Sequence, residues 1–172
     1  MLSLKCGFPI IYKPPQPRGS RVRILRSLAF VIGDETHNSR EKETTMSDLE
    51  SNKKTVVAFF TRAYNDYEPA DAVAKYVGSQ YIQHNPDTAE GAAAFVESTK
   101  QWIAQSPKVS VEIKRVIAEG DLVVTHDLVR RSPDDRGFAG IDIFRLENGK
   151  IVEHWDARQP VPEKAANNNT MF

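Results

Sequence analysis

The sequence predicts an α+β fold, with helices first and then a long antiparallel sheet that curls over them around a pocket. Three observations carry this reading. Apolar residues recur at helical spacing between Ser51 and Tyr64, and again between about residues 90 and 105. From Val109 onward, apolar and polar residues alternate in successive short runs, the pattern of half-buried strands. Those runs are parted by turn-forming clusters at Glu119-Gly120-Asp121, Ser132-Pro133-Asp134-Asp135 and Asn148-Gly149. Helices that precede such a meander pack on one face of it. The twist of a long sheet then bends it around them.

Each element has its own signal. Val56, Val57, Phe59, Phe60, Ala63 and Tyr64 form one broad apolar stripe, so a first helix runs from Ser51. Pro69 opens a second, short helix over 70–77, since proline is tolerated in a first turn, and Gly78 is expected to stop it. Tyr81-Ile82-Gln83-His84-Asn85-Pro86 reads as a short strand ending before the proline. Phe95, Trp102 and Ile103 share the stripe of a third helix, which Ser106-Pro107 ends. Val109, Val111 and Ile113 alternate with polar residues in the next strand. Strands over 122–130, 137–146 and 151–157 complete the meander. Residues 160–172 are a Pro- and Asn-rich tail ending in Met171-Phe172.

Length and composition bound the class. A chain of 172 residues, 40% apolar and 27% charged, suits one soluble domain with its own core. Net charge is zero but unevenly spread: residues 1–45 carry eight Lys/Arg against four Asp/Glu, and residues 46–172 carry fifteen against nineteen. The acidic part offers no basic stripe for nucleic acid. No run reaches the roughly 20 apolar residues of a membrane helix. The single Cys6 leaves neither an internal disulfide nor a cysteine zinc cluster, which suits a reducing, cytoplasmic setting.

Domain organisation follows from the same contrast. Residues 1–46 are read as a disordered basic leader or a mis-assigned start, 47–160 as the folded domain and 161–172 as a tail. The leader lacks the apolar core of a secretory signal. An organelle presequence would be basic and acid-poor, as residues 1–33 are, but Pro14, Pro15 and Pro17 interrupt any amphipathic helix there. Met46-Ser-Asp-Leu-Glu, by contrast, resembles an ordinary N-terminus running into a helix.

The candidate chemistry comes from the 132–135 turn. With Asp134 as its centre, antiparallel partners have numbers summing to 268, which sets His126 opposite Asp142 and Val124 opposite Phe144. Opposed residues share a face, about 4.5–5.5 Å apart at Cβ. An imidazole and a carboxylate on an apolar wall are what proton transfer needs. A slip of one residue would part them onto opposite faces. For the last hairpin, a two-residue turn at Asn148-Gly149 sets Trp155 opposite Asp142 on the pocket face and turns His154 and Asp156 away; a bulge after the turn would reverse this.

Three segments, Tyr81-Ile-Gln-His-Asn-Pro86, Gly140-Ile-Asp-Ile-Phe-Arg145 and Gly149-Lys-Ile-Val-Glu-His-Trp-Asp156, resemble the SnoaL-like proteins. These include polyketide cyclases and predicted aldol-condensation enzymes. They belong to the cone-shaped, cystatin-like superfamily of nuclear transport factor two and ketosteroid isomerase. The resemblance spans about residues 47–160 and implies a curved antiparallel sheet wrapped on N-terminal helices. It also implies cofactor-free aldol chemistry, with Asp142 as acid/base, Arg145 completing its motif and a cavity histidine that His126 would supply.

Two functions follow. In the first, Asp142 removes a proton next to a carbonyl, His126 orients it or protonates the enolate oxygen, and Tyr81, Phe144, Trp155 and His84 shape the cavity. The reaction would be an aldol-type cyclisation, or a related isomerisation or hydration, of a small apolar or aromatic carbonyl compound. In the second, the same fold binds a ligand or a partner without catalysis. His84, His126 and His154 lie on separate strands without ligand spacing, so no metal is expected. An outer sheet face carrying Ile141 and Ile143 suggests burial against a second copy, a homodimer.

Overall fold

The computed structural model describes residues 45–172. The expectations for the leader therefore fall outside the described residues, except at Thr45 and Met46. Thr45 N-caps the first helix, α1 (Met46–Phe60), in a reciprocal capping box with Asp48. The helix thus begins five residues before the expected start at Ser51. A π-helical turn (Thr61–Asn65) continues it. Helix α2 (Pro69–Tyr76) and helix α3 (Ala92–Gln105) follow the expected pattern.

Five strands form one sheet: β1 (Val77–Gln83), β2 (Ser110–Glu119), β3 (Leu122–Arg130), β4 (Phe138–Glu147) and β5 (Lys150–Pro160). Their spatial order is β1-β5-β4-β3-β2. The meander is antiparallel, and β1 joins β5 in parallel. The fold of the described residues is α+β, three helices against a mixed open sheet. Gly78, expected to stop α2, lies instead inside β1. A Cβ there would fall 2.9 Å from Val152 Cγ1, so glycine lets β1 approach β5 at that point.

Helices and sheet meet in an aromatic core. Phe59, Phe60 and Tyr64 from the first helical segment pack on Phe95 of α3 and Phe144 of β4. The inner face of β3 carries Val123, Thr125, Asp127 and Val129, all buried. Two of those four are polar, and that is the first sign of a site. On the outer face Ile117, Leu122 and Ile141 remain exposed. The tail runs back over part of that face, where Phe172 stacks on His126 with ring centroids 5.5 Å apart.

Candidate functional site

The β3–β4 hairpin decides which side chains meet. Its partners are Thr125↔Asp142, His126↔Ile141 and Asp127↔Gly140, a register one residue from the expected one. Residues 130–137 between the last pair, Val129↔Phe138, are even in number, so no residue is the centre. Asp135 holds this loop by accepting from the N–H groups of Arg131 at 3.1 Å and Gly137 at 3.0 Å. His126 and Asp142 therefore lie on opposite faces, and the expected dyad does not form. His126 sits outside, bonded through Nδ1 to Arg115 at 2.9 Å and covered by Phe172.

The β4–β5 hairpin supplies the partner instead. Beyond the tight turn, Leu146 pairs with Ile151, but Arg145 pairs with Glu153. Val152 is the extra residue of a bulge, and it flips the rest of the strand. His154 and Asp156 turn inward, opposite Phe144 and Asp142, and Trp155 turns outward, opposite Ile143. The expectation of Trp155 as pocket wall is thus corrected: its ring stacks on His84 outside the site, centroids 4.7 Å apart. His84 is likewise outside, bonded to Glu153 at 2.9 Å. Tyr81 and Phe144 lie on the inner side, and each stacks with the His154 ring, at 6.3 and 4.7 Å between centroids.

At the centre, His154 Nε2 lies 2.9 Å from Asp142 Oδ1, both residues being buried. His154 Nδ1 lies 3.0 Å from Gln83 Oε1. That oxygen also accepts from the backbone N–H of Asn85 at 2.9 Å, which fixes the amide with its oxygen toward the ring. Nδ1 therefore carries a hydrogen, and a second proton lies between Nε2 and Asp142. Glutamine, histidine and aspartate form one directed chain.

Further carboxyls crowd the same floor. Asp127, wholly buried, receives the Thr125 hydroxyl at 3.3 Å. Burial first, and then the adjacent Asp142 charge and a hydrogen bond with that carboxyl, push Asp127 up to about 8. Asp156 accepts from Asn85 Nδ2 at 2.8 Å and lies 3.1 Å from Arg158 Nε. Burial opposes the Arg158 charge, but Tyr64, Asp142, Asp156 and Asp127 together hold its pKa above the ordinary arginine value. Burial lifts the Tyr64 phenol to about 12. It also raises Tyr81 well above its ordinary range.

A cavity of about 150 Å³ opens above this floor. His154 and Arg158 form its polar base, Tyr64, Phe95 and Trp102 its aromatic walls, and Asn85 part of its rim. The Arg158 guanidinium lies 5.9 Å from the Trp102 ring centroid. Asp142 sits directly behind the His154 ring and does not line the space. Among the described residues, no group of His, Cys, Asp or Glu is placed to hold a metal ion, and no helix is long and apolar enough to cross a membrane.

Sequence reasoning did not find Asp127, His154 as a site residue, Asp156, Arg158 or Gln83. Asp127 had a usable signal. Aspartate is depleted in strands, and Asp127 stands in Leu122–Arg130 as anomalously as Asp142 does in β4.

The family follows from comparison. The chain matches the SnoaL-like domain model over residues 56–154, more than half its length, and it belongs to that family. No curated protein matches it in sequence. Among solved structures it is similar to a candidate polyketide cyclase from Bacillus cereus ATCC 10987, with a TM-score of 0.58 and 18% identity over 66% of this chain and 78% of that one. It is also similar to an LEH-like epoxide hydrolase of M. tuberculosis, with a TM-score of 0.52 and 20% identity over 65% and 85%. A third is a cystatin-fold protein from Novosphingobium aromaticivorans, with a TM-score of 0.54 and 22% identity over 62% and 97%. At such identities the likeness is one of fold. The cavity lies between the helices and the sheet.

Proposed function

We propose that this chain moves a proton next to a carbonyl, without a cofactor, in a small cyclic or aromatic substrate. The observation that carries the reading is the buried Asp142–His154 pair, with His154 at the base of the cavity and Asp142 behind it. A cavity of about 150 Å³ is of the size of a single ring, and its lining is both aromatic and polar. Asp142 remains the proposed base, with His154 as its partner in place of His126.

In this mechanism the substrate lies against the His154 ring. Its α C–H bond breaks as the His154 ring swings aside to uncover Asp142, the proton passes to the Asp142 carboxylate, and the electron pair moves onto the carbonyl oxygen. Arg158 at the cavity base offsets the enolate charge. The enolate carbon then attacks a second carbonyl of the same substrate, forming a C–C bond, or takes its proton back at another position. The pair returns its proton in either case, so no external acid or reductant is consumed.

The test uses cyclohexanone and acetophenone in D₂O, with α-deuteration followed by NMR. Wild type should exchange the α-protons. Asp142→Asn should retain any thermal shift produced by these ligands and lose exchange by about 10²–10⁴-fold. Exchange that persists in Asp142→Asn places the base elsewhere. Ligand binding with no exchange in wild type favours the second reading, a binding domain without turnover. The commitment of both His154 nitrogens to protein partners speaks for that alternative.

A further inference from the structure

We infer that Asp127 is a positioning residue for the Asp142–His154 pair: it keeps one proton between the two carboxyls and so makes Asp142 the acceptor of two hydrogen bonds, one from each side. The inference rests on the Asp142–His154 pair being the working centre.

The geometry argues it from three sides. Asp127 stands on β3 beside Thr125, and Thr125 is the cross-strand partner of Asp142. Its Oδ2 accepts from the Thr125 hydroxyl, while Oδ1 is buried with no donor aimed at it among the described residues. Opposite Asp127 on β4 stands Gly140, where a Cβ would fall 2.4 Å from that same Oδ1. Any side chain at 140 would occupy the space that the Asp127 carboxyl fills, one residue pair along the ladder from Asp142.

Two adjacent carboxyls sealed from water do not both ionise. The groups facing Asp127 give it no full counter-charge of its own. β4 presents Asp142, and β2 presents Ile113. β5 presents Arg158, which is shared with Asp156 and Asp142. The π-helical turn contributes only the neutral Tyr64 to this cluster. A protonated Asp127 resolves the conflict, because its O–H donates to Asp142 while His154 Nε2–H donates from the other side. The upward shift of Asp127 to about 8 agrees with this.

The arrangement has a consequence at alkaline pH. When Asp127 loses its proton, Asp142 loses one donor and gains a repelling neighbour, and the His154 contact must change with it. This separates a positioning role from a packing role, since a packing residue would leave the ring signals of His154 independent of Asp127 ionisation.

The experiment is a carboxyl-carbon and imidazole-nitrogen NMR titration of the full chain, wild type and Asp127→Asn. In wild type the Asp127 carboxyl carbon should be that of a protonated acid at neutral pH and should titrate near pH 8, with His154 ring signals moving in the same range. Asp127→Asn should abolish that His154 transition. An ionised Asp127 at pH 6 in wild type overturns the inference, and so does a His154 transition that survives in Asp127→Asn. If the variant does not fold, the wild-type carboxyl titration decides alone. No α-deuteration with these titrations intact would remove the catalytic reading and leave the proton arrangement standing.

Discussion

His154 and Asp142 lie 2.9 Å apart across β4 and β5 because Val152 is an extra residue in the strand between them. A regular hairpin from the same turn would have put Trp155 beside Asp142 and left the imidazole on the outer face. The pairing of the site is therefore a product of the bulge.

Breaking this contact should cost stability as well as function. Asp142→Ala removes the acceptor for a buried ring nitrogen, and an unsatisfied buried group costs about 1–3 kcal/mol. Urea unfolding should register that loss. His126→Ala lies on the other face, so it should leave α-proton exchange intact.

Asp127 makes stability depend on pH in a defined direction. Its folded pKa is raised to about 8, so the folded state holds a proton that the unfolded chain releases near pH 4. The resulting stability is fully present below about pH 4 and falls as pH rises through 8. Thermal midpoints between pH 5 and 9 should decline in wild type, and the decline should be much shallower in Asp127→Asn.

Gly140→Ala tests the space around the same carboxyl. Because the added Cβ would meet Asp127 Oδ1 at 2.4 Å, Asp127 must shift, and overpacking of this kind costs about 1–3 kcal/mol. The double variant Gly140→Ala with Asp127→Ala should recover part of that loss. A simple sum of the two single losses would mean the clash is not what destabilises Gly140→Ala.

At the helical end, Thr45→Ala removes the capping box of α1 and should lower stability by about 1 kcal/mol. A chain beginning at Met46 should show a similar loss, and one beginning at Thr44 should not. Equal thermal midpoints for the two truncations would show that the cap contributes nothing.

The outer face offers a test of assembly. Ile117, Leu122 and Ile141 are exposed there, and we expect a second copy to cover them, giving a dimer by light scattering at micromolar concentration. Ile141→Lys should dissociate it. A monomeric wild type rejects this expectation.

How far the site was legible can be read residue by residue. Helical and strand periods located the elements, because burial acts over many residues and tolerates an error of one. The site does not tolerate it. Placing the turn centre on Asp134 instead of between residues 133 and 134 exchanged Thr125 for His126 opposite Asp142. The Val152 bulge did the same to Trp155 and His154, and nothing in Ile151-Val152-Glu153 marks it, since both Ile151 and Val152 are buried. Gln83 became visible only through the Asn85 N–H that orients it. Asp127 was legible in principle, by the same anomaly that drew notice to Asp142.

The bulge also bears on how such a strand can change over time. Deleting Val152 alone would leave composition, charge and hydropathy almost untouched, yet it would carry His154 and Asp156 to the outside and bring Trp155 in. A lineage could lose or acquire this centre through one codon gained or lost, with every ligating letter still present in the text. Alignments that slide a gap by one position near residue 152 will pair the wrong side chains between relatives.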